Sequence, residues 1–159
     1  MQQESDEVGP KIVEVPPTLV GVIHDVVPMN QMVSFFDRVF ATVPQVLAKQ
    51  DVAIVGPAVA VYFGAPGETA DIAAGFPIAS EIDPAEGVTS LWLPTGQAVT
   101  ALHIGSYDGL ADAYSRLLEW MTERSLTPAQ VMWESYVTMP TPEADPADMR
   151  TVITWLLQD

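Results

Sequence analysis

The sequence contains no cysteine. Disulfide bonds, thiolate zinc sites and a cysteine nucleophile are therefore excluded. Long apolar runs are also missing, since Val52–Val55 and Val59–Phe63 are far too short to cross a bilayer. The first seven residues are polar and acidic, without the basic start and apolar stretch of a secretory signal. From these absences we expect a cytoplasmic protein with no membrane partner.

Basic residues are scarce: six Lys and Arg stand against 21 Asp and Glu, which gives a net charge of −15. Nucleic-acid binding requires basic side chains against the phosphates, and these six form no cluster in the sequence. We therefore expect no direct nucleic-acid partner. A surface this negative attracts cations, although the same charge also simply keeps a protein in solution.

Motifs for metals, nucleotides and nucleophilic serines are absent as well. His24 and His103 are the two histidines, and no spacing of the HExxH kind is present. Ser106 lacks the G-x-S-x-G turn, and no glycine-rich phosphate loop follows a strand. We predict no metal site and no cofactor.

Hydrophobic residues make up 48% of the chain, enough for a packed interior. Residues 1–10 are predicted to be a disordered acidic tail, and residues 11–159 a single α+β domain. Its halves, about 11–83 and 84–159, each follow the order strand, helix, strand, strand. The predicted strands are Lys11–Val15, Leu19–Val27, Ala58–Phe63, Ile72–Ser80, Val88–Leu93, Gln97–Ile104, Val131–Met139 and Met149–Leu157.

Two amphipathic helices are predicted. The first starts at Pro28, and we expect Pro44 to end or kink it. The second has Asp108 as its N-cap and an apolar face that includes Tyr114, which we assign to the core. Duplicated β-α-β-β units usually pack about a pseudo-twofold axis with a central ligand cleft. The alternative is that the units share a core with no usable cavity.

The segment Met132–Tyr136 is the best candidate for a site. Strand alternation places Met132, Glu134 and Tyr136 on one face. A carboxylate beside a phenol suits a cationic, aromatic ligand, because cation–π attraction adds about 0.5–2 kcal/mol. The alternative is that Glu134 simply points to water, as most glutamates do. Further candidate walls of a ligand site are Tyr62, Trp92 and Tyr107.

A series of short motifs runs in order from about Lys11 to Leu157. The motifs are Val13-Glu14-Val15-Pro16, Val20-Gly21-Val22, Gly56-Pro57-Ala58 with Tyr62, Gly75-Phe76-Pro77-Ile78, His103-Ile104-Gly105-Ser106-Tyr107, Ala113-Tyr114-x-x-Leu117-x-x-Trp120 and Trp133-Glu134-Ser135-Tyr136. In this order and spacing the sequence resembles the GyrI-like small-molecule-binding domain. That domain is also the effector-binding half of AraC- and MerR-type multidrug-sensing transcription regulators.

The resemblance implies a duplicated β-α-β-β fold with a central ligand cleft. It also implies that the acidic residue of an E-x-Y strand, here Glu134, pairs with cationic, lipophilic ligands, with Tyr136 two residues on. This chain departs from the family at Ala73-Ala74, where an acidic residue often stands. The ten residues before Lys11 are too few for a helix-turn-helix domain, so a transcription factor is not expected unless the DNA-binding part is on another chain.

Three functions are consistent with this resemblance. The leading hypothesis is a binding module that sequesters or senses a cationic or aromatic small molecule through Glu134. The second follows from stand-alone members similar to hydrolases that open cyclopropane rings, in which case Glu134 is the acid/base. The third is an acidic module that binds a protein partner and blocks a DNA-binding protein such as gyrase.

Overall fold

The computed structural model describes residues 10–64, 67–105, 109–137 and 150–158. The chain divides into two compact units. The first unit is Pro16–Thr95, and the second comprises the residues from Gly96 onward together with strand β1 (Lys11–Val15). These bounds differ from the expected halves of about 11–83 and 84–159. The reason is strand pairing, because β1 pairs with a strand of the second unit and residues 88–92 pair within the first.

The first unit is an antiparallel sheet with one helix. Its elements are β2 (Leu19–Pro28), a 3-10 turn (Met29–Gln31), α1 (Met32–Lys49), β3 (Ala58–Phe63), β4 (Thr69–Pro77) and β5 (Val88–Trp92). The strand order within the unit is β3-β4-β2-β5. Val- and Ile-rich strands bury both faces, and α1 packs against β2 and β4 with one apolar face. That face consists of Phe35, Val39, Val43, Val46 and Leu47.

Pro44 does not end the first helix, contrary to one of the two outcomes expected from the sequence. Helix α1 runs through Pro44 to Lys49. Proline removes one backbone hydrogen bond within a helix. The turn beyond it buries Val46 and Leu47 at 1% exposure each, and this apolar burial offsets the lost hydrogen bond.

In its described residues, the second unit also has four strands and one α-helix. They are β1, β6 (Gly96–Ile104), α2 (Leu110–Glu123), β7 (Pro128–Tyr136) and β8 (Arg150–Leu157). The strands are antiparallel in the order β1-β6-β8-β7. Val99, Ile153, Leu117 and Met121 form the buried core, so α2 packs on the sheet face that carries the odd-numbered residues of β6 and β8.

The α+β prediction is confirmed by these elements. In the described residues the chain order is β2-α1-β3-β4 in one unit and β6-α2-β7-β8 in the other. Strands β4 and β7 begin at Thr69 and Pro128, earlier than expected. The predicted N-cap Asp108 lies outside the described residues, and the pseudo-twofold relation stays a prediction. Within the described ranges, neither helix has the length and apolar character needed to span a membrane.

Candidate functional site

Glu134 lies on the face of β7 that α2 covers. In the antiparallel register it stands opposite Ile153 of β8. Ile153 belongs to the same buried core as Leu117 of α2. The side chain of Glu134 is only 6% exposed. The alternative that Glu134 simply points to water is therefore wrong, because the helix shields this face of the strand.

Two tyrosine hydroxyls hold the carboxylate. Tyr136 donates to Glu134 Oε1 at 2.6 Å, and Tyr114 donates to Glu134 Oε2 at 2.6 Å. Tyr136 is two residues further along the same strand and shares its face. Tyr114 comes from α2, where its ring meets the edge of Trp155 with centroids 5.9 Å apart.

Tyr114 has a second contact beyond the core packing that the sequence predicts for it. Its ring does pack on the core of the second unit. Its hydroxyl, however, reaches Glu134. Apolar periodicity in a sequence predicts that a tyrosine ring is buried, but it does not predict which group its hydroxyl contacts. Only the packing of α2 on the sheet shows that this tyrosine contacts Glu134.

No cation balances Glu134 among the described residues, which include all six Lys and Arg and both His. The ion pairs there join Arg38 to Asp25, Lys49 to Glu86, Arg124 to Glu123 and His24 to Asp71. Burying a carboxylate is costly unless it is paired or hydrogen-bonded. The two tyrosines offset part of that cost, and each carboxylate oxygen keeps a second lone pair for another donor.

Thr151 adds a polar group beside these side chains. It stands opposite Tyr136 on one side and His103 on the other in the register of the sheet. Its Oγ1 is buried and has no hydrogen-bond partner among the residues that the structure describes. An unpaired buried hydroxyl costs about 1–3 kcal/mol, so this atom is a ready partner for water or a ligand.

The remaining predicted site residues have different locations. Tyr62 lies on β3 of the first unit and is half-buried. Trp92, at the end of β5 in that unit, is 55% exposed, and its Nε1 donates to Glu81 Oε2 at 3.2 Å. Tyr107 lies outside the described residues. The structure thus brings Glu134, Tyr136 and Tyr114 together, and the roles of Tyr62, Trp92 and Tyr107 stay predictions.

Within the described residues, no three His, Asp or Glu side chains are grouped so that they could hold a metal ion. His24 is instead paired with Asp71 and stacked near Phe63, with ring centroids 5.0 Å apart. The chemistry that this arrangement offers is a buried carboxylate with hydroxyl donors.

Several solved structures share the fold. EcmrR in its complex with DNA is 19% identical with a TM-score of 0.81, and the alignment covers 99% of this chain but 60% of that one. The EcmrR C-terminal domain is also 19% identical, with a TM-score of 0.79. The alignment covers 95% of this chain and 98% of that domain. The chain therefore spans about the length of that domain and not of whole EcmrR.

Two more distant structures are also similar. SAV2435 bound to tetraphenylphosphonium is 10% identical, with a TM-score of 0.63 and 94% of each chain covered. A hydrolase from Listeria innocua is 11% identical, with a TM-score of 0.66, 99% of this chain and 97% of that chain covered. At such identities the likeness shows the fold alone.

No protein of curated function matches the sequence. The model of one family does match, over residues 9–153, and that span includes Glu134, Tyr136 and Tyr114. The chain belongs to the family of GyrI-like small-molecule-binding domains.

Proposed function

We propose that the chain binds a small cationic, aromatic molecule, as a sequestering or sensing module, and that Glu134 is the charge anchor. One observation carries the proposal. Glu134 is a buried carboxylate, oriented by two tyrosine hydroxyls and without a cationic partner among the described residues. A bound cation supplies the missing charge.

The environment of Glu134 strengthens such an interaction. Charges attract more strongly where protein replaces water, because the local dielectric constant is lower. The hydroxyls of Tyr114 and Tyr136 hold the carboxylate in one orientation, so little conformational entropy is lost when a ligand binds. The net charge of −15 favours the approach of cations.

The family supports a small-molecule ligand, and one structurally similar protein supports the choice of a cationic, aromatic one. The family is described as one that binds small molecules. SAV2435 was solved with tetraphenylphosphonium, an aromatic cation without hydrogen-bond donors. The duplication of the β-α-β-β order, the ligand cleft, multidrug recognition and the contributions of Tyr62, Trp92 and Tyr107 remain parts of this proposal.

The test is a calorimetric titration with tetraphenylphosphonium and with tetraphenylborate, which has nearly the same shape and the opposite charge. The wild-type protein is expected to bind the cation more tightly than the anion. Glu134→Gln is expected to weaken binding of the cation by about tenfold or more, which corresponds to about 1.4 kcal/mol. Glu119→Gln is the matched control, since Glu119 is an exposed residue of α2 and loses the same charge.

Unchanged affinity in Glu134→Gln would contradict the assigned role, and an equal loss in Glu119→Gln would assign the effect to net charge. Two further measurements address the other hypotheses. Turnover of an electrophilic cyclopropane compound, followed by mass spectrometry and lost in Glu134→Gln, would favour the hydrolase. A salt-sensitive pull-down of a basic protein that Glu134→Gln leaves intact would favour the interaction module.

A further inference from the structure

A groove of about 500 Å³ lies in the second unit between β6 and α2. We call it the β6–α2 groove. Its described lining residues are Pro10, Ala101, Leu102, His103, Ile104, Ala113, Arg116, Leu117 and Trp120. Glu134, Tyr114 and Tyr136 are not among these described lining residues, although Ala101 and His103 belong to the same sheet, two strands away from Glu134 and Tyr136 in its register.

Apolar side chains form most of the walls. Leu117 belongs to the core, whereas Ile104 is 45% exposed. Trp120 lies one helical turn after Arg116. The Arg124 guanidinium stands 4.0 Å from the centroid of the Trp120 ring. The groove therefore offers an indole ring that already contacts a cation.

The described lining of the groove carries a charge opposite to that of the whole protein. Its described lining contains Arg116 and His103 but no Asp or Glu. Arg116 is exposed and forms no ion pair within the described residues, although the chain has 21 Asp and Glu. Lys11, next to Pro10, likewise forms none there. An unpaired arginine beside apolar walls is suited to a carboxylate or sulfonate on an apolar body.

We propose that the β6–α2 groove binds a small organic anion with an aromatic body, and that Arg116 is its charge anchor. The volume falls in the range of small-molecule sites, about 300–1,000 Å³. The guanidinium of Arg116 donates to the acidic group of the ligand, while the aromatic ring of the ligand packs on Ala113 and Trp120 of α2. The proposed anchor of this site is Arg116, whereas the cation site is proposed at Glu134, which is not among the described lining residues of the groove.

The probe for the test is 2-naphthoate, titrated calorimetrically and mapped by amide chemical shifts. We expect shifts concentrated at residues 101–104 and 113–120. Arg116→Gln is expected to lower the affinity for 2-naphthoate by about threefold to tenfold, the range for a partly exposed charged pair. Arg38→Gln is the control, because Arg38 lies in the first unit and its loss changes the net charge equally.

Two more comparisons separate the alternatives. Neutral 2-naphthamide is expected to bind more weakly than 2-naphthoate. Glu134→Gln removes a negative charge from the second unit and is expected to bind 2-naphthoate at least as tightly as the wild type. Equal affinity for the two probes, or equal losses in Arg116→Gln and Arg38→Gln, would overturn the proposal. So would a concentration-dependent dimer that Arg116→Gln dissociates, since the groove would then hold a second copy of the chain.

Discussion

The hydroxyls of Tyr114 and Tyr136 each satisfy one oxygen of Glu134, a residue only 6% exposed. Hydrogen bonds to a charged group contribute more than neutral ones, about 1.5–3 kcal/mol each. Removing one donor leaves a buried carboxylate oxygen without that partner. The two hydrogen bonds to Glu134 are therefore expected to affect stability as well as binding.

We predict that Tyr114→Phe and Tyr136→Phe each lower the free energy of unfolding by about 1–3 kcal/mol. The measurement is chemical denaturation of both variants in the wild-type and Glu134→Gln backgrounds, as a double-mutant cycle. The losses should shrink in the Glu134→Gln background, because the neutral amide requires less from its donors. Equal losses in both backgrounds would show that the hydroxyls act through other partners.

The sequence predicts part of this arrangement of Glu134 and its two tyrosines. Strand alternation alone places Glu134 and Tyr136 on one face of β7. The partner Tyr114 is 20 residues away and on a helix, so its contact depends on how α2 packs on the sheet. The burial of Glu134 has the same origin, since a single strand does not show which of its faces a helix covers.

Among the elements, strand β4 requires a glycine at position 75, the first residue of the motif Gly75-Phe76-Pro77-Ile78. Gly75 is paired with Val22 on β2 and Val59 on β3, so strands flank it on both sides. A Cβ atom at Gly75 would overlap the carbonyl oxygen of Gly21 and lie 2.9 Å from Val22 Cα. Both are backbone atoms of a paired strand and cannot move away independently.

We predict that Gly75→Ala lowers the free energy of unfolding by more than about 2 kcal/mol, because the β2–β4 pairing must open to admit the methyl group. Gly67→Ala is the control, since a Cβ atom there meets nothing within 4 Å. Denaturation curves of the two variants give the comparison. A loss in Gly75→Ala no larger than that in Gly67→Ala would mean that the strands adjust without cost.

Element types follow well from the sequence, and element ends less well. Val- and Ile-rich runs and the apolar stripe of α1 identify the strands and helix from local residues. The rule that proline ends or kinks a helix does not predict where α1 ends, because burial of the turn after Pro44 against the sheet is a tertiary effect. The early start of β7 at Pro128 is similar, since pairing with Leu157 of β8 extends it.

For the whole molecule, the net charge of −15 acts on the two proposed ligands in opposite directions. It attracts a cation toward Glu134 and repels an anion from the β6–α2 groove. Salt screens distant charges most, because the Debye length falls from about 30 Å at 0.01 M to about 3 Å at 1 M. A contact pair at hydrogen-bond distance stays within that length and keeps most of its attraction.

We therefore predict salt dependences of opposite sign. Between about 0.01 M and about 1 M salt, the affinity for tetraphenylphosphonium should fall, since the long-range attraction is lost while the Glu134 contact remains. The affinity for 2-naphthoate should rise, since the long-range repulsion is lost while the Arg116 contact remains. Calorimetric titrations measure both, with neutral 2-naphthamide as the control. If both affinities fall equally, the acidic surface does not reach either site, and local pairing alone determines which charge each site accepts.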